Sequence, residues 1–489
     1  MPRRPTGRFI ARLGQATATV ALFGGLMVAG GAGTGATTTA LHAAATFSGP
    51  VTVGHIIEPL STRSFALAAH GYVEQEFFAS GTATAFAAIS SPSDGKWTIT
   101  PASTAPYRTR IVVRRPSNPA HFSGTVVVEW LNETAGEADP DWDYLNPALM
   151  DAGDAYVGVS VQSVGVEGGT PLLGSPGGEG NKGLVQQEPA RYGRLHHPGD
   201  QYALDIFDQI GVGLRDLRGA SLFGPPRPRH DVAVGESQSA FFLTTYVDAL
   251  EPLSHAFDGV FIHSRDGSGA PLASGSVTSG ALAGGLRIRT DLRVPVFMFE
   301  TQTDIALLGY GSAQQPDTHS IRTWEVAGTS HADSYLVGPT ASLLGCDTAI
   351  NSGPQHVVVQ AAFADFVAWV VHGRPPPSPA LFREQPAHPD TLVLDDHGNV
   401  IGGVRTPAVD VPVSTLSNVA APHSSVICTL FGSTIPFSAS TLASLYGTKA
   451  NYVTRYTADL DRAIAARYLL PSERAALLAA ARQVQFPTG

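Results

Sequence analysis

The chain reads HDVAVGESQSAFFLTTYVDAL over residues 230–250. Its first six residues favour a short buried strand, and residues 240–250 favour a helix. Between them, the sequence GESQS makes a tight connection centred on Ser237. A strand that passes directly into a helix is the unit from which parallel sheets covered by helices are built. This stretch therefore predicts an α/β fold.

The flanking sequence continues the same alternation in both directions. Further strands are predicted at 125–131, 156–161, 259–262, 294–299 and 321–326. Helices are predicted at 143–152, 202–217 and 355–372. Upstream, residues 71–86 and 107–113 alternate apolar and polar side chains, as antiparallel strands do. We expect a mostly parallel central sheet with helices on both faces.

The GESQS turn has the features of a nucleophile site. A sharp turn between strand and helix strains Ser237 and exposes its hydroxyl, and the helix N-terminus favours negative charge nearby. The pattern resembles the nucleophile elbow of the α/β-hydrolase superfamily, G-x-S-x-G, with Ser239 in place of the last glycine. Serine is small enough for strand and helix to pack closely. A serine that caps the helix is the alternative interpretation.

A nucleophilic serine needs a base and an acid that orients the base. In the superfamily these residues follow in the order serine, acid, histidine. The resemblance implies Asp304 as the acid, because the loop beyond strand 294–299 can turn inward. It implies His331, in the Gly-x-x-His sequence after strand 321–326, as the base. Glu300 is the alternative acid, and a loop histidine without a catalytic role is the alternative for His331.

The negative charge that develops on an ester carbonyl needs two hydrogen-bond donors, which form an oxyanion hole. The first expected donor is the backbone N–H of Gln238, directly after the serine. The second is expected from the loop after strand 125–131, where Asn132 and Glu133 are the candidates. Asn132 is the predicted donor and Glu133 the alternative; no HGGG sequence stands there, so the donor geometry stays open.

Three further residues are candidates for the wall of the pocket. Glu236 lies beside the nucleophile, Glu133 follows the candidate oxyanion residue, and His263 ends a predicted strand. A core or loop role is the alternative for His263. No ligand spacing typical of a transition metal and no cofactor fingerprint is present in the sequence. We therefore predict neither a metal site nor a cofactor.

Residues 1–45 have the features of an export signal. They contain four arginines near the start and no acidic residue, and their apolar stretch at 20–29 is short for a membrane span. Small residues permit cleavage near Ala45. The sequence thus predicts an exported protein, secreted or held at the cell envelope, with no stable membrane span after cleavage. An uncleaved anchor is the alternative, and Arg3-Arg4 leaves the general and twin-arginine routes open.

The predicted export bears on the state of the two cysteines. An even number of cysteines in an oxidising compartment favours a disulfide, here between Cys346 and Cys428. Two buried free thiols are the alternative. The two helices predicted at 450–468 and from Ser472 onward have apolar faces that need cover. We expect both features to hold the C-terminal part of the chain against the core.

The sequence divides into three parts. We expect a signal peptide (1–45), a catalytic core (46–373) and a C-terminal extension (374–489) that packs on the core. A glycine-rich segment around 163–198 is predicted to be a mobile lid. The triple proline at 375–377 marks the start of the extension.

Composition excludes several classes of protein. Hydrophobic residues make up 43% of the chain and charged residues 15%, which excludes a disordered chain. The net charge is −10, and the basic residues of the predicted signal leave the remainder more acidic still. Because an acidic surface repels phosphate backbones, we predict no nucleic-acid partner. Composition leaves the oligomeric state open.

The whole layout also resembles a family of large exported bacterial proteins described as α/β-hydrolase domains. The resemblance rests on the sequences WLN at 130–132, GESQS at 235–239 and WEVAGTSHAD at 324–333, followed by a long extension. It implies an exported serine hydrolase that cleaves carboxylic esters, either small molecules or polymers, through an acyl-enzyme. An acyltransferase with the same residues and a non-catalytic binding protein on the same fold are the alternatives.

Overall fold

The structure is a computed structural model, and it describes residues 43–60, 65–171, 182–216, 220–224, 227–272, 284–385, 388–420 and 424–486. Most of the predicted signal peptide and residues 172–181 of the predicted lid lie outside this part of the chain. Within it, Ala45 is buried, and its backbone N–H donates to the carbonyl oxygen of Gln209. None of the described helices is both long enough and apolar enough to span a membrane.

A central sheet organises the described part of the chain. Its strands are β1 (Thr46–Ser48), β2 (Tyr72–Ser90), β3 (Thr98–Pro116), β4 (Thr125–Trp130), β5 (Ala155–Val159), β6 (His230–Glu236), β7 (Gly259–His263), β8 (Val296–Thr301) and β9 (Ile321–Val326). They lie in the order β1-β2-β3-β5-β4-β6-β7-β8-β9. The pairs up to β5 are antiparallel, and every pair from β5 onward in this order is parallel. The predicted α/β fold with a mostly parallel sheet is confirmed.

Helices follow most of the strands. Those that the structure describes are α1 (Pro140–Ala152), α2 (Ser163–Glu167), α3 (Leu184–Gln187), α4 (Pro189–Tyr192), α5 (Ala203–Arg215), α6 (Ala220–Phe223), α7 (Gln238–Ala249), α8 (Glu251–Ser254), α9 (Gln302–Ala306), α10 (Ser334–Val337), α11 (Gln355–His372), α12 (Pro407–Asp410), α13 (Val426–Phe431), α14 (Ala439–Tyr446), α15 (Lys449–Ala465) and α16 (Arg474–Gln483). Two short antiparallel strand pairs follow α11 in the chain, namely β10 (Glu384–Gln385) with β11 (His388–Leu392) and β12 (Ser414–Ser417) with β13 (Ser433–Pro436).

The sheet separates two apolar clusters because successive side chains of a strand point to opposite faces. In β4, Val126, Val128 and Trp130 belong to the cluster that α5 and α7 cover. Trp130 stacks on Phe242 of α7, with ring centroids 4.9 Å apart. Val127 of the same strand belongs to the other cluster, which α1 and α11 cover. Both faces of the parallel part are therefore buried.

The strands β2 and β3 differ most from the prediction, since each runs for 19 residues. The added length of β3 covers the sequence TITPASTAP at 98–106, whose side chains are mostly exposed. Apolar alternation is weak there because only Ile99 and Ala105 of this stretch pack against the core. The sequence pattern therefore predicted only the inner part of this hairpin.

The predicted lid segment at 163–198 contains α2, α3 and α4 in its described parts. Val166, Leu184 and Tyr192 form a small cluster with Phe78 of β2. This cluster attaches the described parts of the segment to the edge of the sheet. A mobile lid stays a prediction.

The C-terminal extension contributes to the main core. Leu460 and Ala463 of α15 are fully buried in the cluster that contains Trp324 of β9. Tyr468 lies edge-on to the Trp324 ring, with centroids 5.3 Å apart. The helices of the extension thus supply part of the cover for one face of the sheet.

A disulfide joins Cys346 and Cys428, as the sequence predicts. Cys428 lies in α13 of the extension, and Cys346 lies between α10 and α11. The bond therefore connects the extension to the segment that follows His331.

Candidate active site

Ser237 occupies a sharp turn between β6 and α7. The strand ends at Glu236 and the helix begins at Gln238, so one residue makes the connection. Ser237 has φ 59° and ψ −115°, a strained conformation for a residue with a Cβ. Gly235 has no room for a side chain, because a Cβ there would lie 2.9 Å from the Cβ of Ser239. This close approach explains the need for small residues around the serine.

The hydroxyl of Ser237 is hydrogen-bonded to a buried histidine. Nε2 of His331 lies 2.7 Å from Oγ of Ser237, and Nδ1 of the same ring lies 2.7 Å from Oδ1 of Asp304. His331 is 5% exposed and Asp304 is 0% exposed. The three side chains form one continuous line of hydrogen bonds across the C-terminal ends of β6, β8 and β9. This is the geometry of a nucleophile, a base and an orienting acid.

Asp304 lies in the first turn of α9, so the expectation that a loop turns it inward was wrong. The side chain of Thr301 caps this helix and accepts from the backbone N–H of Asp304. In return, Oδ2 of Asp304 accepts from the backbone N–H of Thr301 at 2.6 Å and from its hydroxyl at 2.8 Å. This capping box fixes the carboxylate and leaves Oδ1 facing His331.

Two other carboxyl groups lie near these residues in sequence, Glu300 near Asp304 and Asp333 near His331. Glu300 lies within β8, and neither of its side-chain oxygens has a hydrogen-bond partner among the described residues. Burial, followed by the charge of Asp304, raises the pKa of Glu300 well above its ordinary value. Asp333 caps α10 and accepts from the hydroxyl of Tyr144 at 3.0 Å. The structure thus places Asp304, and not these groups, in hydrogen-bond contact with Nδ1 of the histidine.

Glu236 places a second carboxyl group beside the histidine. Its Oε1 lies 3.7 Å from Nε2 of His331, and both side chains are 6% exposed. Burial alone would lower the pKa of His331, but the hydrogen bond and charge of Asp304, with the charges of Glu236 and Asp266, raise it to about 9. Burial raises the pKa of Glu236 to about 7. The imidazolium form is therefore favoured by two nearby carboxyl groups.

The candidate oxyanion donors lie around the nucleophile. Gln238 is the first residue of α7, so its backbone N–H has no acceptor within the helix. The backbone N–H of Glu133 donates to Oε1 of Gln238 at 2.8 Å. The backbone N–H of Asn132 donates to the carbonyl oxygen of Ala138 at 2.9 Å, which fixes it within its own loop. The N–H of Asn132, the predicted donor, is thus engaged by a backbone oxygen, whereas that of Glu133 is held by a side chain that can rotate away.

Asn132 instead supports the residue before the nucleophile. Its side-chain Nδ2 donates to the backbone oxygen of Glu236 at 3.0 Å. Its Oδ1 accepts from the backbone N–H of Thr134 at 2.8 Å. The side chain thus ties the loop after β4 to the end of β6.

A cavity of about 280 Å³ lies over Ser237 and His331. Glu236, a predicted pocket residue, lines it, and most of the remaining wall is apolar. Three of its lining side chains come from α13, namely Ile427, Leu430 and Phe431. The sequence predictions missed these three residues. The one clue was Cys428 within the same segment, which pointed to contact with the region after His331.

The two other predicted pocket residues lie elsewhere. Glu133 lines a neighbouring cavity of about 380 Å³. His263 is fully buried, and its Nδ1 lies 2.8 Å from Oδ1 of Asp141. Among the described residues, no group of three or more His, Cys, Asp or Glu side chains is arranged to hold a metal ion.

Solved structures with low sequence identity resemble parts of this chain. A provisionally assigned dienelactone hydrolase from Klebsiella pneumoniae is 11% identical, and the match covers 60% of this chain and 99% of that one with a TM-score of 0.31. A glucuronoyl esterase from Solibacter usitatus is 9% identical, with 58% and 84% covered and a TM-score of 0.27. An α/β serine hydrolase from Xanthomonas campestris, described as lacking a lid, is 12% identical, with 54% and 91% covered and a TM-score of 0.25. No curated protein sequence matches this chain.

A family match covers nearly the whole chain. Residues 47–479 match the family described as Alpha/beta hydrolase domain. The match includes the sheet, the turn at Ser237 and most of the C-terminal extension. The chain therefore belongs to the Alpha/beta hydrolase domain family, and its fold is the α/β-hydrolase fold.

Proposed function

We propose that this protein is a serine hydrolase that cleaves carboxylic esters through an acyl-enzyme intermediate. The line of hydrogen bonds from Ser237 through His331 to Asp304 is the observation that carries the proposal. Ser237, at one end of this line, also lines a mostly apolar cavity where an ester can bind. Such a line lets the histidine remove the serine proton as the oxygen attacks a carbonyl carbon.

In the first half of the reaction, Oγ of Ser237 attacks the ester carbonyl carbon and its proton passes to Nε2 of His331. The carbonyl π electrons move to the oxygen, which accepts hydrogen bonds from the backbone N–H groups of Gln238 and Glu133. For this to happen, the Gln238 side chain must release the N–H of Glu133. The carbonyl then re-forms, the bond from the carbonyl carbon to the alcohol oxygen breaks, and that oxygen takes the proton from Nε2 and leaves as the alcohol. Asp304 keeps the other proton on Nδ1 and stabilises the imidazolium.

In the second half, a water molecule repeats these steps on the acyl-enzyme. His331 removes a proton from the water as it attacks, and the collapse of the intermediate returns the proton to Ser237 and releases the acid. Loss of one oxyanion donor typically costs about 3–4 kcal/mol in the barrier. The backbone donors therefore supply a substantial share of the expected rate enhancement.

We also propose that the enzyme is exported. The disulfide between Cys346 and Cys428 supports this, because disulfides persist mainly in oxidising compartments. The basic and apolar character of residues 1–45 supports it as well. The natural ester, small or polymeric, would then be met outside the cytoplasm.

A fluorophosphonate probe and a panel of esters, lactones and amides test the proposal on the purified protein. We expect the probe to label the wild type at Ser237, and Ser237→Ala to lose labelling together with at least about 10⁴-fold of the ester hydrolysis. Ser239→Ala is the matched control and should keep both. Labelling that persists at another serine in Ser237→Ala would contradict the assignment.

The same assay separates the competing functions. With an added alcohol, an acyltransferase would give mainly the new ester, whereas a hydrolase gives mainly the free acid. A binding protein without catalysis would give neither product and no labelling. We expect hydrolysis to dominate.

A further inference from the structure

The helix α13 forms one wall of the cavity over the nucleophile, although it lies in the C-terminal extension. Ile427 and Leu430 are half-buried, and both line the cavity. Phe431 is buried and packs with Ala332 and Val337, which follow the histidine in the chain. The wall thus consists of apolar side chains that extend from the extension towards Ser237.

Two hydrogen bonds to backbone oxygens of α13 fix this helix to the loop that carries His331. The hydroxyl of Ser330 donates to the carbonyl oxygen of Phe431 at 3.1 Å. The backbone N–H of Ala332 donates to the carbonyl oxygen of Leu430 at 3.3 Å. These donors lie on either side of His331 in the sequence. The disulfide at Cys428 holds the same helix covalently. The wall and the base therefore form one connected unit.

Other lining residues from outside the extension are also apolar, among them Leu60, Ala135, Ala138 and Pro140. Besides His331, the charged side chains among the described lining residues are those of two acids, Asp143 and Glu236. No described lysine or arginine lines the cavity, and its one cationic group, His331, is already paired with Asp304, so a carboxylate group of a substrate would meet the two acids without a free cation. The chemistry of the wall suits an uncharged apolar group.

We propose that α13 sets the size of the ester that the enzyme accepts, with Leu430 as the residue that limits an uncharged apolar group of the substrate. This inference rests on the proposed serine hydrolase function. The cavity of about 280 Å³ favours a short or medium chain over a long one. The apolar group is either the acyl chain or the alcohol chain of the ester, since both meet at Ser237.

Two series of esters test the inference and distinguish the two chains. One series varies the acyl chain from two to twelve carbons on a fixed nitrophenol, and the other varies the alcohol on a fixed acetyl group. In one of the series, Leu430→Ala should raise kcat/KM for long relative to short chains by about tenfold or more. Leu430→Trp should lower the same ratio and leave the acetate ester of the smallest alcohol reactive. Leu343→Ala, at a leucine that is 82% exposed, is the matched control and should change neither.

The outcomes separate this inference from the proposed function. If the Leu430 variants hydrolyse esters and react with the fluorophosphonate probe but keep the wild-type chain-length profile in both series, the inference is wrong and the serine hydrolase stands. If the wild type neither hydrolyses any ester nor reacts with the probe, both proposals are wrong. If the Leu430 variants shift the chain-length profile and are labelled by the probe like the wild type, the results support both the inference and the serine hydrolase function.

Discussion

The carboxyl of Glu236 lies 3.7 Å from Nε2 of His331, the same ring nitrogen that is 2.7 Å from Oγ of Ser237. The imidazole is therefore bordered by a carboxyl group at each nitrogen, Asp304 at Nδ1 and Glu236 at Nε2. Each negative charge stabilises the protonated ring, which cannot act as a base. The arrangement favours the imidazolium of the intermediate but delays the appearance of the free base as pH rises.

The first prediction concerns the pH dependence of kcat/KM. The pKa of His331 is raised to about 9, so activity should rise with pH up to that region as the neutral base forms. Glu236→Gln removes one negative charge beside Nε2 and destabilises the imidazolium. The pKa of His331 should then fall, and the acidic limb of the profile should move to lower pH by about one unit or more.

A pH series of kcat/KM on one ester checks this prediction. Glu325→Gln is the control, because Glu325 is also buried with a pKa raised to about 7 but forms no ion pair with His331 in the described structure. Its profile should match that of the wild type. An acidic limb that stays in place or moves to higher pH in Glu236→Gln would show that Glu236 does not act on the base.

The second prediction concerns the orienting acid. Asp304→Asn should fold normally but lower kcat by about 10⁴, because an amide cannot hold the histidine in the required tautomer. Glu300→Gln should have a much smaller effect, since Nδ1 of His331 is hydrogen-bonded to Asp304 and neither side-chain oxygen of Glu300 has a hydrogen-bond partner among the described residues. Steady-state kinetics of both variants, with circular dichroism for folding, measure this. A reversed ranking would make Glu300 the acid.

The elements that hold Ser237 and His331 could be predicted because their patterns are local. The strand before Ser237 and the strand before His331 each read as a short apolar run, and the helix at 355–372 has the bounds of α11. The position of Asp304 could have been predicted better. The sequence Thr301-Gln-Thr-Asp304 is a capping box, which marks the start of a helix and not a loop.

The wall of the cavity could not be predicted from local patterns. Leu430 follows His331 by many residues, and α13 has six residues, too few for a helical periodicity to stand out. Its contact with the nucleophile depends on how the extension packs over the sheet, which is a tertiary property. The role of the Asn132 side chain could not be predicted for the same reason, because its hydrogen bond to the backbone of Glu236 joins the loop after β4 to the end of β6.

The third prediction concerns the disulfide. Peptide mapping under non-reducing conditions should show one linked pair, from Cys346 and Cys428. The double variant Cys346→Ser/Cys428→Ser should unfold at a lower temperature, because the bond closes a loop of 82 residues and such a loop is worth about 4–5 kcal/mol in the entropy model. It should also discriminate less between short and long esters, because α13 is less firmly held. Two free thiols in protein purified from an oxidising compartment would contradict the bond.

The last prediction concerns the C-terminal extension as part of the catalytic body. A chain that ends after Pro377 lacks α13, and with it the wall formed by Leu430 and Phe431. It also lacks Leu460 and Ala463, which are buried in the same cluster as Trp324 of the sheet. We expect this chain to be inactive on esters, to unfold at a lower temperature and to bind an apolar dye through the surface that the extension covers. A chain that ends after Phe486 loses three residues and is the control, with activity and stability like the full protein. A truncation after Pro377 that is as active and as stable as the full chain would show that the extension is a separate module.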